Sequence, residues 1–407
     1  MMKLRARERA VALLCLAGSG LAGSGLAGFV TPAAAQADFG GCLAGLRQQA
    51  VAGGISARTF DSATAGISFD PKVIESSQFQ PEFKTPIWDY MAALVDEERV
   101  EDGQAAMRQH ASALAQAEAR YGVDRYTIAA VWGVESNFGK NLGKSPLVQS
   151  LATLACSGNR RRDFFRGELM ATLRIIDRGD IDASRLTGSW AGAFGQTQFM
   201  PTTYHRLAVD LDGDGRRDIV DSVPDALGST ANFLRVAKWN NGHPWGYEVR
   251  LPDGFNLAAA GRKNKRPVAH WTSLGVTRID GRPLSGGDAA GIIAPAGIEG
   301  PAFLVTKNFD AIYSYNAAES YGLAIAVLSD RLRGKAGIRT AWPTDDPPLS
   351  RAERRQLQVA LAARGYDVGE PDGRVGSKTR DAIKDVERRL GMTPTGRPGA
   401  KVLQALR

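Results

Sequence analysis

One carboxylate, that of Glu135, stands in a setting that suits acid–base chemistry. A helix would place four residues on one face at spacing i, i+3, i+4 and i+7, namely Ile128, Val131, Trp132 and Glu135. A charge on an apolar, tryptophan-containing stripe is a conflict between pattern and chemistry, and such conflicts cluster at functional sites. Burial keeps part of a carboxyl population protonated near neutrality, as a general acid requires. The pattern therefore favours an acid–base role for Glu135, with a salt-bridged structural glutamate as the alternative.

A second chemical signal is a run of acidic residues that could hold a metal ion. The spacing matches positions 1, 3, 5, 6, 9 and 12 of an EF-hand loop, filled in order by Asp210, Asp212, Asp214, Gly215, Asp218 and Asp221. Oxygen ligands in this number suit a hard cation, Ca²⁺ before Mg²⁺. The loop departs from the pattern at position 12, where glutamate is usual. A structural ion is predicted, with an Asp/Gly turn that binds no ion as the alternative; no open Lewis-acid site is indicated.

The elements around these residues are mainly helical. Asp124 is an N-cap signal for the segment that carries Glu135, and residues 83–119 form a long amphipathic stretch. Later helical patterns cover 148–155, 163–178, 226–239 and 321–332. Short apolar pieces at 249–251 and 303–305 are typical of small strands or irregular loops. We therefore expect a mainly α protein with small β or irregular insertions.

The N-terminus has the features of a secretory signal peptide. Within residues 1–37, a basic start precedes an apolar stretch and two small-residue cleavage sites ending at Ala35 and Ala37. Neither Cys15 nor Cys42 lies in a good lipobox, so a lipid anchor is not expected. No later apolar run is long enough to span a bilayer, so no transmembrane segment is predicted. The mature protein is expected to be soluble and exported.

Export also bears on the cysteines. Cys15 would leave with the signal peptide, so that Cys42 and Cys156 would be the remaining thiols in an oxidising compartment. This favours a disulfide between them over two buried free cysteines.

The length of the chain and a Pro/Asp-rich segment near its C-terminal end indicate two or three domains. The chain has 407 residues and a net charge of +8. Nucleic acid is not an expected partner of an exported protein without a basic-aromatic cluster, and an anionic cell-wall polymer fits the charge better. A Pro/Asp-rich linker is predicted at 334–348. The compact unit that follows, 349–407, is small enough to suggest targeting more than chemistry.

Three motifs resemble the lytic murein transglycosylase B family, whose catalytic domain is lysozyme-like. They are Glu-Ser-Asn-Phe-Gly at 135–139, Ser-Trp-Ala-Gly-Ala-Phe-Gly-Gln-Thr-Gln-Phe-Met-Pro at 189–201 and Tyr-Asn at 315–316. The resemblance covers about residues 40–333 and predicts a catalytic domain over 38–333. It implies that Glu135 is the sole acid and base. It also implies a set of substrate-binding residues: Ser189, Gln198, Tyr315, Asn316, Tyr321, Tyr90 and Phe233, the last standing where some members have tyrosine.

The resemblance implies a reaction that needs one carboxylate. Ordinary glycosidases use two, and the three motifs offer no second. In a lytic transglycosylase, Glu135 would protonate the oxygen between N-acetylmuramic acid (MurNAc) and N-acetylglucosamine (GlcNAc). It would then accept a proton from the MurNAc C6 hydroxyl, which closes a 1,6-anhydro ring. A hydrolytic muramidase and a non-catalytic wall-binding protein are the alternatives. The expected location is the periplasm, the expected partners are glycan strands and other cell-wall enzymes, and no cofactor is needed for the chemistry.

Two further expectations follow from family resemblance. The family's acidic loop is longer than an EF-hand, which makes Asp225 a better final ligand than Asp221 and leaves Arg216 to contribute its backbone carbonyl. The ligand set would then be Asp210, Asp212, Asp214, Arg216 and Asp225.

Residues 349–407 resemble a small three-helix peptidoglycan-binding domain. The residues that carry this resemblance are Leu357-Gln358, Gly365-Tyr366, Asp372-Gly373, Gly376, Thr379 and Ala382-Ile383. Another partner for this helical domain is the alternative, since Val386-Glu387 replaces an aromatic-Gln pair.

Overall fold

The computed structural model describes residues 38–77, 85–158, 160–285 and 289–407. The predicted signal peptide, 1–37, lies outside the described residues. The described chain divides into two compact units. The glutamate unit comprises 38–77, 106–158 and 160–237, and the sheet unit comprises 85–105, 238–285 and 289–407. The helix Glu97–Gln109 contributes residues to both units.

The glutamate unit is built from helices and one short pair of strands. Its helices are α1 (Phe39–Ala52), α2 (Ala57–Ala63), α3 (Pro71–Ser77), the end of α5 (Glu97–Gln109), α6 (Ala111–Tyr121), α7 (Arg125–Ser136), α8 (Leu147–Cys156), α9 (Arg162–Arg178), α10 (Pro201–Leu207) and α11 (Val223–Val236). Strands β1 (Ser145–Pro146) and β2 (Thr187–Gly188) pair antiparallel. Helix α6 packs on α7 and α11, and α8 packs on α9. Apolar side chains on these helices, such as Leu151 and Leu234, are fully buried and form the core.

The sheet unit contains an antiparallel five-stranded sheet in the order β4-β6-β7-β3-β5. Its strands are β3 (Gly246–Arg250), β4 (Arg266–Pro267), β5 (Thr277–Arg278), β6 (Ala289–Ile293) and β7 (Ala302–Val305). Residues 249–250 and 303–305 therefore belong to strands, which pair with Val249 opposite Ala302, and Leu251 directly follows β3. Trp271 of α12 (Val268–Ser273) is fully buried against the sheet and donates its Nε1–H to the Ala290 carbonyl at 2.7 Å.

Further helices of the sheet unit precede or follow the strands along the chain. They are α4 (Ile87–Leu94), α13 (Lys307–Tyr313) and α14 (Glu319–Leu332), and α4 packs against α14. The described part of the amphipathic stretch predicted at 83–119, which starts at residue 85, forms α4, α5 and α6. The Asp96 carboxylate accepts the Arg99 backbone N–H at 2.9 Å and so starts α5 as a new helix. The C-terminal module, residues 349–407, contains α15 (Arg351–Ala362), α16 (Ser377–Arg389) and α17 (Ala400–Ala405), packed around Leu357, Ile383 and Leu403.

Candidate active site

Glu135 lies in the last turn of α7. The helix begins as predicted at Asp124, whose carboxylate accepts the Thr127 backbone N–H at 3.2 Å. Three apolar side chains precede Glu135 on its face and are at most 2% exposed: Ile128, Val131 and Trp132. Glu135 itself is half-buried. The predicted apolar stripe is therefore present, and the acid stands at its C-terminal end with access to solvent.

The backbone after Glu135 adopts an unusual conformation. Asn137, Phe138 and Gly139 have consecutive positive φ angles of 53°, 58° and 79°. For a residue with a side chain this region costs about 1–2 kcal/mol, so two of these three positions are strained. Phe138 is held by edge-to-face packing on Trp132, with ring centroids 5.6 Å apart. The Gly139 N–H is donated to the Ser136 hydroxyl at 2.9 Å. Strain of this kind persists where surrounding contacts fix it, commonly at functional sites.

Gln196 connects the helix of Glu135 to the glycine-rich motif. Its side chain is buried, accepts the Trp132 indole N–H at 3.0 Å and donates to the Val220 carbonyl at 3.1 Å. A Cβ on Gly139 would lie 2.7 Å from Gln196 Oε1, which explains why glycine follows Phe138. Gln196 is part of the glycine-rich motif, but the sequence alone indicates no role for it. Its position in the motif was the available signal, and its partners become visible only in the fold.

Gln198 and Ser189 lie in loops that are fixed to the segment after Glu135. Gln198 has φ 51°, and its side-chain amide donates to the carbonyls of Leu142 at 3.1 Å and Gly195 at 2.9 Å. The Ser189 hydroxyl accepts the Ala193 N–H at 3.0 Å. Strand β1, which follows Glu135, pairs with β2, which ends directly before Ser189. The structure thus joins the three sequence segments that carry Glu135, Ser189 and Gln198.

Two rings complete this part of the glutamate unit. Phe233 of α11 is half-buried and packs on Phe199, the neighbour of Gln198, with centroids 6.0 Å apart. His110 packs edge-to-face on Trp132 at 5.5 Å, and its burial lowers the pKa of its imidazole. The His110 ring that lies against Trp132 therefore accepts a proton less readily than an exposed histidine does.

Glu168 is a buried carboxylate that the sequence analysis did not identify. It is 1% exposed and accepts both the backbone N–H of Thr202, at 2.9 Å, and its hydroxyl, at 2.7 Å. Burial raises the pKa of Glu168. Because Thr202 is in the first turn of α10, this bond fixes the helix that follows the glycine-rich motif. Nothing in the local sequence separates Glu168 from an ordinary surface glutamate.

The remaining predicted substrate-binding residues belong to the sheet unit. The Tyr315 and Tyr321 rings stack with centroids 6.3 Å apart and planes 21° apart. Tyr321 is 2% exposed, whereas Tyr315 and Asn316 are half-buried in the loop between α13 and α14. Tyr90 is half-buried on α4, the helix that packs against α14.

Four acidic residues meet in the predicted metal loop. Asp210, Asp212, Asp214 and Asp225 each place one carboxylate oxygen within 4.8 Å of the others. Asp225 is fully buried and accepts the backbone N–H groups of Leu211 and Asp218, both at 2.7 Å. Asp221 instead forms an ion pair with Arg185. Of the two alternatives for the last ligand, the structure brings Asp225 into the cluster.

The donor set suits a hard divalent cation. Burial raises the pKa of Asp225 to about 6, even though its backbone hydrogen bonds lower it. Among the described residues, the Arg216 guanidinium pairs with Asp214, at 3.3 Å, and one such pair leaves the cluster with a surplus of negative charge. Carboxylate oxygens converging in this way match the ligands that Ca²⁺ prefers.

Cys42 and Cys156 form a disulfide with a Cα–Cα distance of 5.9 Å across a sequence separation of 114 residues. The bond joins the start of α1 to the end of α8. It closes a long loop around the segment that contains Glu135, which restricts the unfolded chain.

The chain combines a mainly helical region, in which Glu135 ends an apolar helix face, with a small helical module, and its sequence matches known families in the same two regions. The family described as "Transglycosylase SLT domain" matches residues 38–330, and "Putative peptidoglycan binding domain" matches 350–406. The protein therefore belongs to the SLT transglycosylase family and has a C-terminal peptidoglycan-binding domain. The expected lysozyme-like, mainly helical fold is confirmed. Across the described residues, no helix is long and apolar enough to cross a membrane.

Several characterised proteins are similar to this chain. Membrane-bound lytic murein transglycosylase B of Escherichia coli (strain K12) is 34% identical over 203 residues, which cover 47% of this chain and 56% of that protein. The crystal structure of SltB3 from Pseudomonas aeruginosa in complex with NAG-anhNAM-pentapeptide has 47% identity and a TM-score of 0.73, covering 91% of this chain and 99% of that one. The structure of Escherichia coli lytic transglycosylase Slt35 in complex with calcium has 27% identity and a TM-score of 0.64, covering 72% of this chain and 92% of that one.

Proposed function

We propose that this protein is a periplasmic lytic transglycosylase that cleaves the MurNAc–GlcNAc β-1,4 bond of peptidoglycan and leaves 1,6-anhydro-MurNAc ends. The observation that carries the proposal is the position of the half-buried Glu135 at the end of an apolar helix face. A hydrogen bond from Trp132 to Gln196 joins this face to the glycine-rich motif. The complex of SltB3 with an anhydro-muramyl peptide supports the substrate class.

Glu135 performs both proton transfers. Its protonated carboxyl donates to the glycosidic oxygen as the C1–O bond breaks, and the substrate's N-acetyl group stabilises the positive charge at C1. The carboxylate then accepts the proton of the C6 hydroxyl, whose oxygen bonds to C1. The residue ends the cycle protonated, so that no second carboxylate and no water enters the reaction. Acid–base assistance of this kind is worth about 10²–10⁴ in rate.

The remaining side chains bind and orient the glycan. Ser189 and Gln198 lie in loops joined to the segment after Glu135 and position the sugar and its N-acetyl group. Phe233, Tyr90, Tyr315 and Asn316 supply ring and amide contacts. Tyr321 is buried, so its contribution is to support the Tyr315 ring on which it stacks.

Calcium would have a structural role in this scheme. Asp210, Asp212, Asp214 and Asp225 would hold it through carboxylate oxygens, with the Arg216 carbonyl as a further ligand. The bound ion would neutralise the acidic loop and fix it to the start of α11. The solved complex of Slt35 with calcium supports this assignment.

The test is the mass of the products from purified peptidoglycan. Anhydro ends lack one water relative to reducing ends, and reducing ends alone would indicate a muramidase instead. Glu135→Gln should lower turnover by about 10²–10⁴ while the protein stays folded. Glu299→Gln makes the same change at an exposed residue and should leave turnover unaltered. Full activity in Glu135→Gln would refute the proposed mechanism.

A further inference from the structure

Acidic residues on α4 and α5 face basic residues of the C-terminal module, within the sheet unit. Arg351 and Arg355 share one face of α15 at spacing i, i+4, and Ser350 and Glu353 form a capping box that fixes the start of this helix. Arg397 precedes α17. Each of these three arginines pairs with carboxylates at residues 89–102, far away in sequence.

The pair between Arg397 and Asp89 has the clearest hydrogen-bond geometry of these contacts. Arg397 Nε and Nη2 donate to the two Asp89 carboxylate oxygens at 2.6 and 2.8 Å, a bidentate geometry. The same guanidinium also pairs with the Asp346 carboxylate and donates to the Asp346 carbonyl at 2.7 Å, so this linker residue fixes its orientation. The side chains of Arg397 and Asp89 are 18% and 10% exposed, so water screens the pair only weakly.

A second group of pairs involves the start of α5. Arg355 donates to Glu98 at 3.1 Å, and Arg351 lies 3.7–3.8 Å from carboxylates of Asp96, Glu98 and Asp102. Asp96 is also the cap of α5 and its side chain is only 3% exposed. The contact between the module and α5 is thus partly desolvated and continuous with the helix start.

Helix α4 depends on such contacts for its position. It has eight residues, too few to be stable alone, and Met91 is its one buried residue. It carries Tyr90 directly after Asp89. Apart from packing against α14, the helix is therefore held from the module side by the Arg397–Asp89 pair.

We propose that the C-terminal module positions the Tyr90 helix through Arg397 and so takes part in glycan binding by Tyr90, in addition to any affinity for the wall. Arg397 is then a positioning residue that acts through Asp89. The inference rests on the proposed function, since it takes Tyr90 to contact the glycan. It predicts a loss of activity on substrates too small for wall targeting to matter.

The test uses full-length variants and a soluble, peptidoglycan-derived tetrasaccharide peptide. Arg397→Gln should raise KM by about tenfold with kcat within about twofold, because the partly buried Asp89 then loses its bidentate partner. Asp89→Asn should raise KM in the same direction but by less, since Arg397 keeps its pair with Asp346. The double variant should show little further loss, since both changes remove the same pair. Arg397→Lys should have an intermediate KM. Arg389→Gln is the matched control, because Arg389 pairs with Asp385 inside the module at 2.8 Å and is 72% exposed.

Amide hydrogen exchange at residues 87–94 provides a readout that does not depend on activity. Protection should fall in Arg397→Gln and Asp89→Asn and persist in Arg389→Gln. Unchanged KM in both single variants would overturn the proposal, whether or not the amide protection at residues 87–94 falls. Additive losses of activity in the double variant would also overturn it. Absence of anhydro products from the wild-type protein would refute the proposed function instead, and exchange would still report whether the pair holds α4.

Discussion

Trp132 and Gln196, 64 residues apart, meet through one buried hydrogen bond in which the indole Nε1–H donates to Oε1 at 3.0 Å. Trp132 lies three residues before Glu135, on the same helix face. Gln196 belongs to the motif that contains Ser189 and Gln198. This bond therefore sets the distance between the proposed acid and the loops proposed to orient its substrate, and a small displacement there is expected to affect catalysis.

Removing this bond should affect both stability and turnover. Gln196→Met keeps the side-chain length but leaves Trp132 Nε1 and the Val220 carbonyl without their partner in a buried site. We expect the free energy of unfolding to fall by about 1–3 kcal/mol, measured by urea titration. Turnover should fall more than about tenfold at a temperature where the variant is folded. Gln116→Met, which removes an exposed amide bonded to Leu211, should change neither quantity appreciably. Wild-type turnover in Gln196→Met would show that the bond is only structural.

The loop after Glu135 should tolerate no side chain at Gly143. This residue has φ 88°, and a Cβ would overlap the Gly188 carbonyl group of strand β2. Gly143→Ala should cost about 3 kcal/mol or more, because backbone strain and a clash with main-chain atoms add. Gly179→Ala isolates the strain, since Gly179 has φ 73° but open space around it, and should cost about 1–2 kcal/mol. Equal losses in the two variants would contradict the proposed clash at β2.

Local patterns were sufficient to predict several parts of this protein. The spacing of Ile128, Val131 and Trp132 predicted the buried face of α7, and Asp124 predicted its start, because both depend on neighbouring residues. The cluster of aspartates was equally visible, since its members lie close in sequence. The Pro/Asp-rich composition also predicts the linker at 334–348, in which the Arg339 N–H donates to the Glu248 carboxylate at 2.8 Å and the Asp346 carbonyl accepts from Arg397 at 2.7 Å.

Contacts between distant segments could not be predicted in the same way. Gln196 meets Trp132, and Glu168 meets Thr202, across 64 and 34 residues, and neither pair has a local signature. The five-stranded sheet was also ambiguous, because strands of two to five residues resemble irregular loops until their partners are known. The pairing of Asp89 with Arg397 spans 308 residues and depends on how the module packs.

Stability should depend on pH through His110. Burial lowers the pKa of this imidazole below its usual value of 6.5, so the folded protein resists a proton that the unfolded chain accepts. Stability should therefore be lost as the pH falls through 6.5 towards the lower pKa of the folded state. His110→Gln should show a smaller loss between pH 7 and pH 5 in urea titrations. His243→Gln makes the same change at an exposed residue and should retain the wild-type pH dependence. Identical profiles for His110→Gln and the wild type would exclude this contribution.

Calcium should stabilise the protein through the aspartate cluster. At about one hundred times its dissociation constant, an ion that binds only the folded state adds about 2.7 kcal/mol, which corresponds to a rise in Tm of about 5–10 °C. Differential scanning fluorimetry with Ca²⁺ and with chelator would measure this rise. Asp214→Ala should abolish it, because Asp214 is an exposed member of the cluster and alanine lacks the oxygen ligand that asparagine would keep. Asp221→Ala is the matched control: this residue pairs with Arg185 outside the cluster, and the calcium response should survive its replacement. Loss of the calcium response in Asp221→Ala would mean that the shorter EF-hand arrangement, ending at Asp221, is the one that binds the ion.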